Sequence, residues 1–258
     1  MKNRIPWNIF LKTILLLLGF SVKLYADALP LRVAIAANLV YVMDDLKAVF
    51  VKSHPELKID IISGSSGKLT EQIINGAPYD VFMSADMDYP KKLKEAGLCA
   101  DDPVKYAQGR LIIFSAAGIS LENGILALKS DKVKKVALAN PKTAPYGKAA
   151  IEALTHAGIL DNAVPEIVNA PSVAEVIALV QNGADAGFTA LSVLNSTAVK
   201  NMDPGSYHWV EVNDKLYSPL DQGMVILKNG GNRPDAALFY DFILSDEARK
   251  IFVRYGYR

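Results

Sequence analysis

Ile59-Asp60-Ile61-Ile62-Ser63-Gly64-Ser65-Ser66-Gly67-Lys68-Leu69 is the stretch on which the fold turns. Its apolar alternation predicts a strand. The strand runs into two glycines flanking two serines, and Leu69, Ile73 and Ile74 follow in a helical pattern. The first backbone N–H groups of such a helix have no internal partner, and the helix dipole makes that end attractive to anions. Two readings compete: Ser65 or Ser66 merely caps the helix, or Ser66 is half of an anion cradle. The rest of the chain has to decide.

On both sides of this stretch, strand patterns alternate with helix patterns, the signature of a parallel α/β sheet. Upstream, Leu31 to Ala37 predicts a strand and Asn38 the N-cap of a helix to about Lys52. Downstream, Asp80 to Ala85 predicts a third strand and Tyr89 to Ala96 a helix. A second series starts at Gly109–Phe114. It continues with a strand at Lys134–Ala139, the turn Asn140-Pro141-Lys142-Thr143-Ala144-Pro145-Tyr146-Gly147 and a helix to about Ala157. Glu166–Ala170 is a further strand, and Ser172-Val173-Ala174-Glu175 has the form of a capping box. After strands at Ala186–Leu191 and Tyr207–Val212 the chain returns through Tyr217-Ser218-Pro219-Leu220 to a strand at Gly223–Leu227 and two helices. Two similar halves with a return crossing predict two lobes around a cleft: residues 29–108 plus 219–258, and residues 109–218, each a mostly parallel sheet flanked by helices.

Composition narrows the function. The chain has 258 residues, 51% hydrophobic and 21% charged, enough for two lobes with real cores. Residues 1–26 hold four of the 28 basic residues and none of the 27 acidic ones, which leaves a net charge of −3 for the remainder. That surface does not suit nucleic acid. Lys2, Arg4 and Lys12 precede a short apolar core, Thr13 to Val22, and small residues follow at Ala26 and Ala28. This is the pattern of a cleavable signal peptide over residues 1–26, and the core is shorter than the roughly 20 residues of a membrane span. Cys99 is the only cysteine, so there is no internal disulfide and no lipid-bearing Cys at the cleavage site. A free, monomeric periplasmic protein is expected, with Cys99 as a small buried apolar residue.

Four places share one design of strand end, polar or turn residue and helix start: Asn38, Ser66, Tyr146 and Ser172-Val173. In parallel sheets such points lie at the C-terminal edge, where ligands bind. None of them carries a side chain that is charged at neutral pH. A convergent set of neutral donors suits a fully ionised oxyanion, which offers only acceptors, and avoids burying a counter-charge. Hydrogen bonds to a charged ligand at ~1.5–3 kcal/mol each allow micromolar to nanomolar affinity without a cationic side chain, even against association costs of ~4–15 kcal/mol.

Enzyme motifs fare worse. Ser65-Ser66-Gly67-Lys68 matches the Ser-x-x-Lys of exported serine acyltransferases, with Ser65 and Lys68 as the pair, but the companion Lys-Thr-Gly and Ser-Asp-Asn motifs are absent. Gly64 and Gly67 are too close for a phosphate loop, and Leu69 stands where that loop needs Ser or Thr. His54, His156 and His208 are scattered without metal-ligand spacing. Asp80 and Asp86 are candidates for a carboxylate pair or for strand-end hydrogen bonding. No catalysis and no cofactor are expected.

Taken together, the motifs resemble the periplasmic molybdate-binding proteins of ABC importers. The resemblance rests on Ala36-Ala37-Asn38-Leu39, on Ser65-Ser66-Gly67-Lys68-Leu69 with Gln72-Ile73, and on Gly76-Ala77-Pro78-Tyr79-Asp80-Val81-Phe82-Met83-Ser84-Ala85-Asp86. Ala139-Asn140-Pro141, Ala144-Pro145-Tyr146-Gly147, Ala190-Leu191-Ser192 and Arg254-Tyr255-Gly256-Tyr257 complete it. It implies a two-lobe, type II periplasmic-binding-protein fold that closes on molybdate or tungstate and then docks on a membrane permease. It also implies a ligand set: Asn38 through its backbone N–H and side-chain amide, Ser66 through hydroxyl and N–H, and Tyr146 and Val173 through N–H. Ala37 and Ser65 are further candidates. The molybdate oxyanion would be the only metal species, held by these same residues. One branch of the family has a Tyr hydroxyl ligand where Ala190 stands, and Ala190 cannot replace it. Sulfate or another tetrahedral oxyanion is the alternative cargo.

Overall fold

The computed structural model describes residues 29–116, 118–160 and 166–258. The expected signal peptide lies outside the described residues, among which no helix is long and apolar enough to cross a membrane.

Two five-stranded sheets form the two lobes. The first contains β1 (Leu31–Ala36), β2 (Ile59–Gly64), β3 (Val81–Met83), β4 (Val104–Gly109) and β10 (Leu220–Ile226), in the spatial order β2-β1-β3-β10-β4. The second contains β5 (Leu111–Ala116), β6 (Lys135–Ala139), β7 (Glu166–Ala170), β8 (Ala186–Ala190) and β9 (Tyr207–Glu211), in the order β7-β6-β8-β5-β9. The strands β2-β1-β3 and β7-β6-β8 are parallel, whereas β10 is antiparallel to both β3 and β4, and β5 to both β8 and β9. Each sheet therefore has four strands in one direction and one reversed. The reversed strands are the two through which the chain enters the second lobe and comes back.

This part of the expectation needs correction. The strand predicted at Gly109–Phe114 is two strands: Gly109 ends β4 in the first sheet and Leu111 begins β5 in the second. Arg110 alone spans the crossing. The return strand starts at Leu220, earlier than predicted, because residues 220–222 pair with Gly109, Gln108 and Ala107 of β4.

The helices are α1 (Val40–Ser53), α2 (Ser66–Ile74), α3 (Asp88–Glu95), α4 (Pro145–His156), α5 (Val176–Gln181), α6 (Thr197–Lys200), α7 (Pro234–Ile243) and α8 (Asp246–Arg254). Their apolar faces cover the sheets. In the first lobe Leu39, Val42, Met43, Leu46 and Phe50 pack with Phe239, Ile243, Ile251 and Phe252 against Leu31, Val33 and Ile35. Leu69, Ile73 and Leu93 cover the other face with Cys99, whose thiol burial pushes up to about 11, an inert apolar role. In the second lobe Ala149, Ala150, Ala153 and Leu154 pack on Leu111, Ile113, Val136 and Leu138.

Register sets the site. Ala36 lies opposite Gly64, and Ile35 opposite both Ser63 and Met83. Residues 37–38, 65–66 and 84–85 therefore leave the first sheet side by side. Ala139 lies opposite Ala170 in the second sheet, so the chain segments leading to Tyr146 and Val173 leave together as well.

The lobes are in contact. Gly67 N–H donates to Thr143 O at 2.8 Å, Ser192 Oγ to Asn38 O at 2.9 Å, and Tyr41 Oη and Tyr89 Oη reach Ala174 O and Lys142 O at 3.4 Å. The cleft is closed.

Candidate oxyanion site

A small cavity sits where the two sheet edges meet. It is lined by Ala36, Ala37, Asn38, Ser65, Ser66, Ala85, Ala144, Pro145, Tyr146 and Val173. All six residues singled out from sequence (Asn38, Ser66, Tyr146, Val173, Ala37 and Ser65) thus border one space. Ala190 does not: it ends β8, buried behind that edge. No charged side chain lines the cavity.

Each lobe presents helix starts to it. Ser66 is the first residue of α2. Pro145 opens α4 and has no N–H, so Tyr146 supplies the first donor of that helix. Asn38 and Val173 lie in short 3-10 turns, Ala37–Leu39 and Val173–Glu175. N–H groups in a first turn have no partner inside the helix. Four residues with such N–H groups, two from each lobe, border one small cavity.

Side chains modify this set. Ser66 is fully buried, and its Oγ accepts from Ala85 N–H at 3.0 Å. One lone pair is thereby engaged, and the hydroxyl proton remains for a ligand. Ala85 was missed from sequence. A methyl side chain gives no chemical signal, and only the Ser-Ala-Asp motif around it pointed to this turn. Thr189 Oγ1 donates to Val173 O at 3.1 Å and fixes the second-lobe turn from behind.

Asn38 departs from expectation twice. It is not an N-cap: its side chain makes no capping bond, and it sits inside the 3-10 turn. Nor is its amide free for a ligand. Nδ2 donates to Gln222 Oε1 at 2.8 Å and to Tyr257 Oη at 2.9 Å. The backbone N–H is what Asn38 has to offer an anion.

Ser172 is no capping box either. Its Oγ donates to the Glu175 carboxylate at 2.9 Å, and Glu175 N–H bonds to the Ser172 carbonyl instead of its hydroxyl. Ser65 stands at the N-cap position of α2 with no capping bond. Its Oγ is buried without a partner among the described residues, and Lys68 is exposed. Among the described residues no general base is hydrogen-bonded to Ser65, which an acyltransferase nucleophile requires.

Asp80 and Asp86 are structural. Asp80 accepts from Arg32 N–H at 2.8 Å and pairs with Arg233 at 3.0 Å. Asp86 accepts from Tyr89 N–H at 3.2 Å at the start of α3, and burial raises its carboxyl above the usual range. His156 Nδ1 lies 2.8 Å from Leu216 O. No cluster of three metal-ligating side chains occurs among the described residues.

Burial raises the phenols of Tyr146 and Tyr257 well above 10, so both are neutral at any physiological pH. The cavity is thus small and bordered by no side chain that is charged at neutral pH.

Comparison with known proteins agrees with this chemistry. Residues 31–258 match the family model of bacterial extracellular solute-binding proteins. The chain is 35% identical to the molybdate-binding protein ModA of Azotobacter vinelandii over 234 residues, covering 90% of this chain and 91% of the relative. It is 34% identical to ModA of Rhodobacter capsulatus, covering 94% and 93%. The solved structure of the Azotobacter vinelandii periplasmic molybdate-binding protein superposes with a TM-score of 0.78 at 34% identity, covering 88% of this chain and 98% of that one. The chain belongs to the bacterial extracellular solute-binding proteins and, within them, to the family of molybdate-binding proteins.

Proposed function

We propose that this protein is the soluble substrate-binding component of an ABC importer. It captures molybdate, and tungstate with it, in the cleft and delivers it to a membrane permease. The observation that carries this reading is a small cavity where the two lobes meet, bordered by Asn38, Ser65, Ser66, Tyr146 and Val173 from helical first turns and the α2 N-cap position, with no charged lining side chain. Asn38, Tyr146 and Val173 donate backbone N–H groups, and Ser66 donates N–H and hydroxyl. Ala37 adds backbone to the wall.

An acceptor-only dianion satisfies such donors without a buried counter-ion, and their helix dipoles add to the attraction. Selectivity against sulfate rests on cavity size, since both ions are tetrahedral and ask for the same donors. The lobes are residues 29–109 plus 219–258 and residues 110–218, with hinges at Arg110, next to Gln108-Gly109, and near Ser218-Pro219. The protein acts as a monomer in the periplasm, exported by a cleaved signal peptide and without a lipid anchor. It performs no catalysis and uses no cofactor.

Titration calorimetry with molybdate, tungstate, sulfate and phosphate tests this. Molybdate and tungstate should bind with Kd below about 10 μM, some −7 kcal/mol, and sulfate and phosphate far more weakly. Absence of molybdate binding in that range overturns the reading.

A further inference from the structure

Ser65 has the geometry of a helix cap and does not cap. Its φ and ψ of −68° and 145° are those of an ordinary N-cap residue. A serine there accepts the N–H of the second or third helical residue, Gly67 or Lys68. Gly67 N–H points elsewhere: it donates to Thr143 O of the opposite lobe at 2.8 Å. Ser65 Oγ is left with no partner among the described residues, although the residue is only 4% exposed. A buried hydroxyl without a hydrogen bond is costly. Ser65 also lines the cavity that Ser66 lines. A ligand with acceptor oxygens in that cavity would supply the missing partner.

We propose that Ser65 is a further donor to the bound oxyanion, and that cleft closure leaves the anion as its one hydrogen-bond partner. With the cleft open, Thr143 O is out of reach, and Gly67 N–H bonds to Ser65 Oγ as in any capped helix. As the lobes close, Gly67 N–H transfers to Thr143 O. The Ser65 oxygen loses the N–H it accepted, and the hydroxyl is left with the anion, to which it donates, as its partner. Closure without an anion leaves this hydroxyl bare, so the exchange favours closure when the cleft is loaded. The proposal rests on the oxyanion reading above and adds to it a residue and a coupling.

Two substitutions test it, Ser65→Ala and Ser65→Gly. Glycine is itself an acceptable N-cap residue, so it removes the hydroxyl while largely preserving the helix. Molybdate affinity by calorimetry and thermal midpoints with and without molybdate are measured for both and for the wild type. The expected result is an affinity about tenfold weaker in both variants, the loss of one hydrogen bond to a charged ligand. Ser65→Ala should in addition lower the midpoint of the unliganded protein more than Ser65→Gly does. Wild-type affinity in the two variants, with or without a lower midpoint, means that Ser65 only caps α2 and overturns the proposal while the oxyanion reading stands. A wild type that binds none of molybdate, tungstate, sulfate or phosphate overturns both.

Discussion

Asn38 Nδ2 donates to Gln222 Oε1 at 2.8 Å, joining the first strand–helix turn to the strand by which the chain returns to the first lobe. The orientation of both amides follows from their neighbours. Gln222 Nε2 donates to Ala85 O at 3.0 Å and to Leu220 O at 2.8 Å, so its oxygen must face Asn38. Asn38 must then present nitrogen, whose second hydrogen goes to Tyr257 Oη. Tyr257 Oη in turn donates to Asn38 O at 2.8 Å, as Ser192 Oγ does from the other lobe. Asn38 is held at both its backbone carbonyl and its side chain, at the border of the cavity. In the proposed role such a residue would work through being fixed in place.

Gln222→Leu should therefore act on the site from a distance. It strands the Asn38 amide and two buried carbonyls, at about 1–3 kcal/mol for each unsatisfied group, offset in part by relaxation. Urea denaturation should show a loss of at least about 2 kcal/mol, together with a severalfold weaker molybdate affinity. A variant as stable as the wild type with unchanged affinity would show that Asn38 does not depend on Gln222.

Ser66→Ala removes a hydroxyl with two jobs, accepting from Ala85 N–H and offering its proton to the cavity. Molybdate affinity should fall at least about tenfold, near the ~1.4 kcal/mol of one charge-assisted bond. Calorimetry that finds the two proteins equal would remove the Ser66 side chain from the ligand set.

The contrast between these residues shows what a sequence exposes. Helix starts at sheet edges are local events, written in runs such as Ile62-Ser63-Gly64-Ser65-Ser66 and Ala144-Pro145-Tyr146-Gly147, and the structure places them around one cavity. The side-chain partners of Asn38 are 184 and 219 residues away, and no local pattern announces them. Capping failed as a guide for Asn38, Ser65 and Ser172 for one reason. A polar residue before a helix looks the same in sequence whether its oxygen serves its own helix, another element or a ligand. β4 escaped notice because Val104-Lys105-Tyr106-Ala107-Gln108-Gly109 has a weak apolar period and owes its strand conformation to β10, over a hundred residues later.

Binding should be insensitive to pH between about 6 and 9, because no lining side chain titrates there. Stability has a defined alkaline limit. Burial raises the phenols of Tyr106, Tyr146 and Tyr257 in the folded protein, whereas the same groups ionise near 10 once unfolded. Above that pH the unfolded chain binds fewer protons than the folded one. The stabilisation is thus complete below about pH 10 and is lost as pH rises beyond it. Chemical denaturation from pH 7 to 11 should give a flat profile and then a fall. A profile that stays flat to pH 11 contradicts this.

Gly67→Ala separates folding from closure. Gly67 lies in the first turn of α2 and is not among the glycines with positive φ, so alanine suits its backbone. In the unliganded open protein the substitution should be neutral or mildly stabilising, within about 1 kcal/mol, through helix propensity and a less flexible unfolded chain. In the closed protein a Cβ at this position lies 2.7 Å from Tyr89 Oη, 2.9 Å from Thr143 Cα and 3.0 Å from Thr143 O. The tyrosine tip can swing away, but the Thr143 backbone belongs to the opposite lobe and can give way only if the cleft reopens. Molybdate affinity should drop at least about tenfold, the ~1.4 kcal/mol that a modest steric block costs, while the unliganded thermal midpoint holds or rises. If calorimetry shows wild-type affinity, the contact between Gly67 and Thr143 is not what brings the lobes together around the ligand.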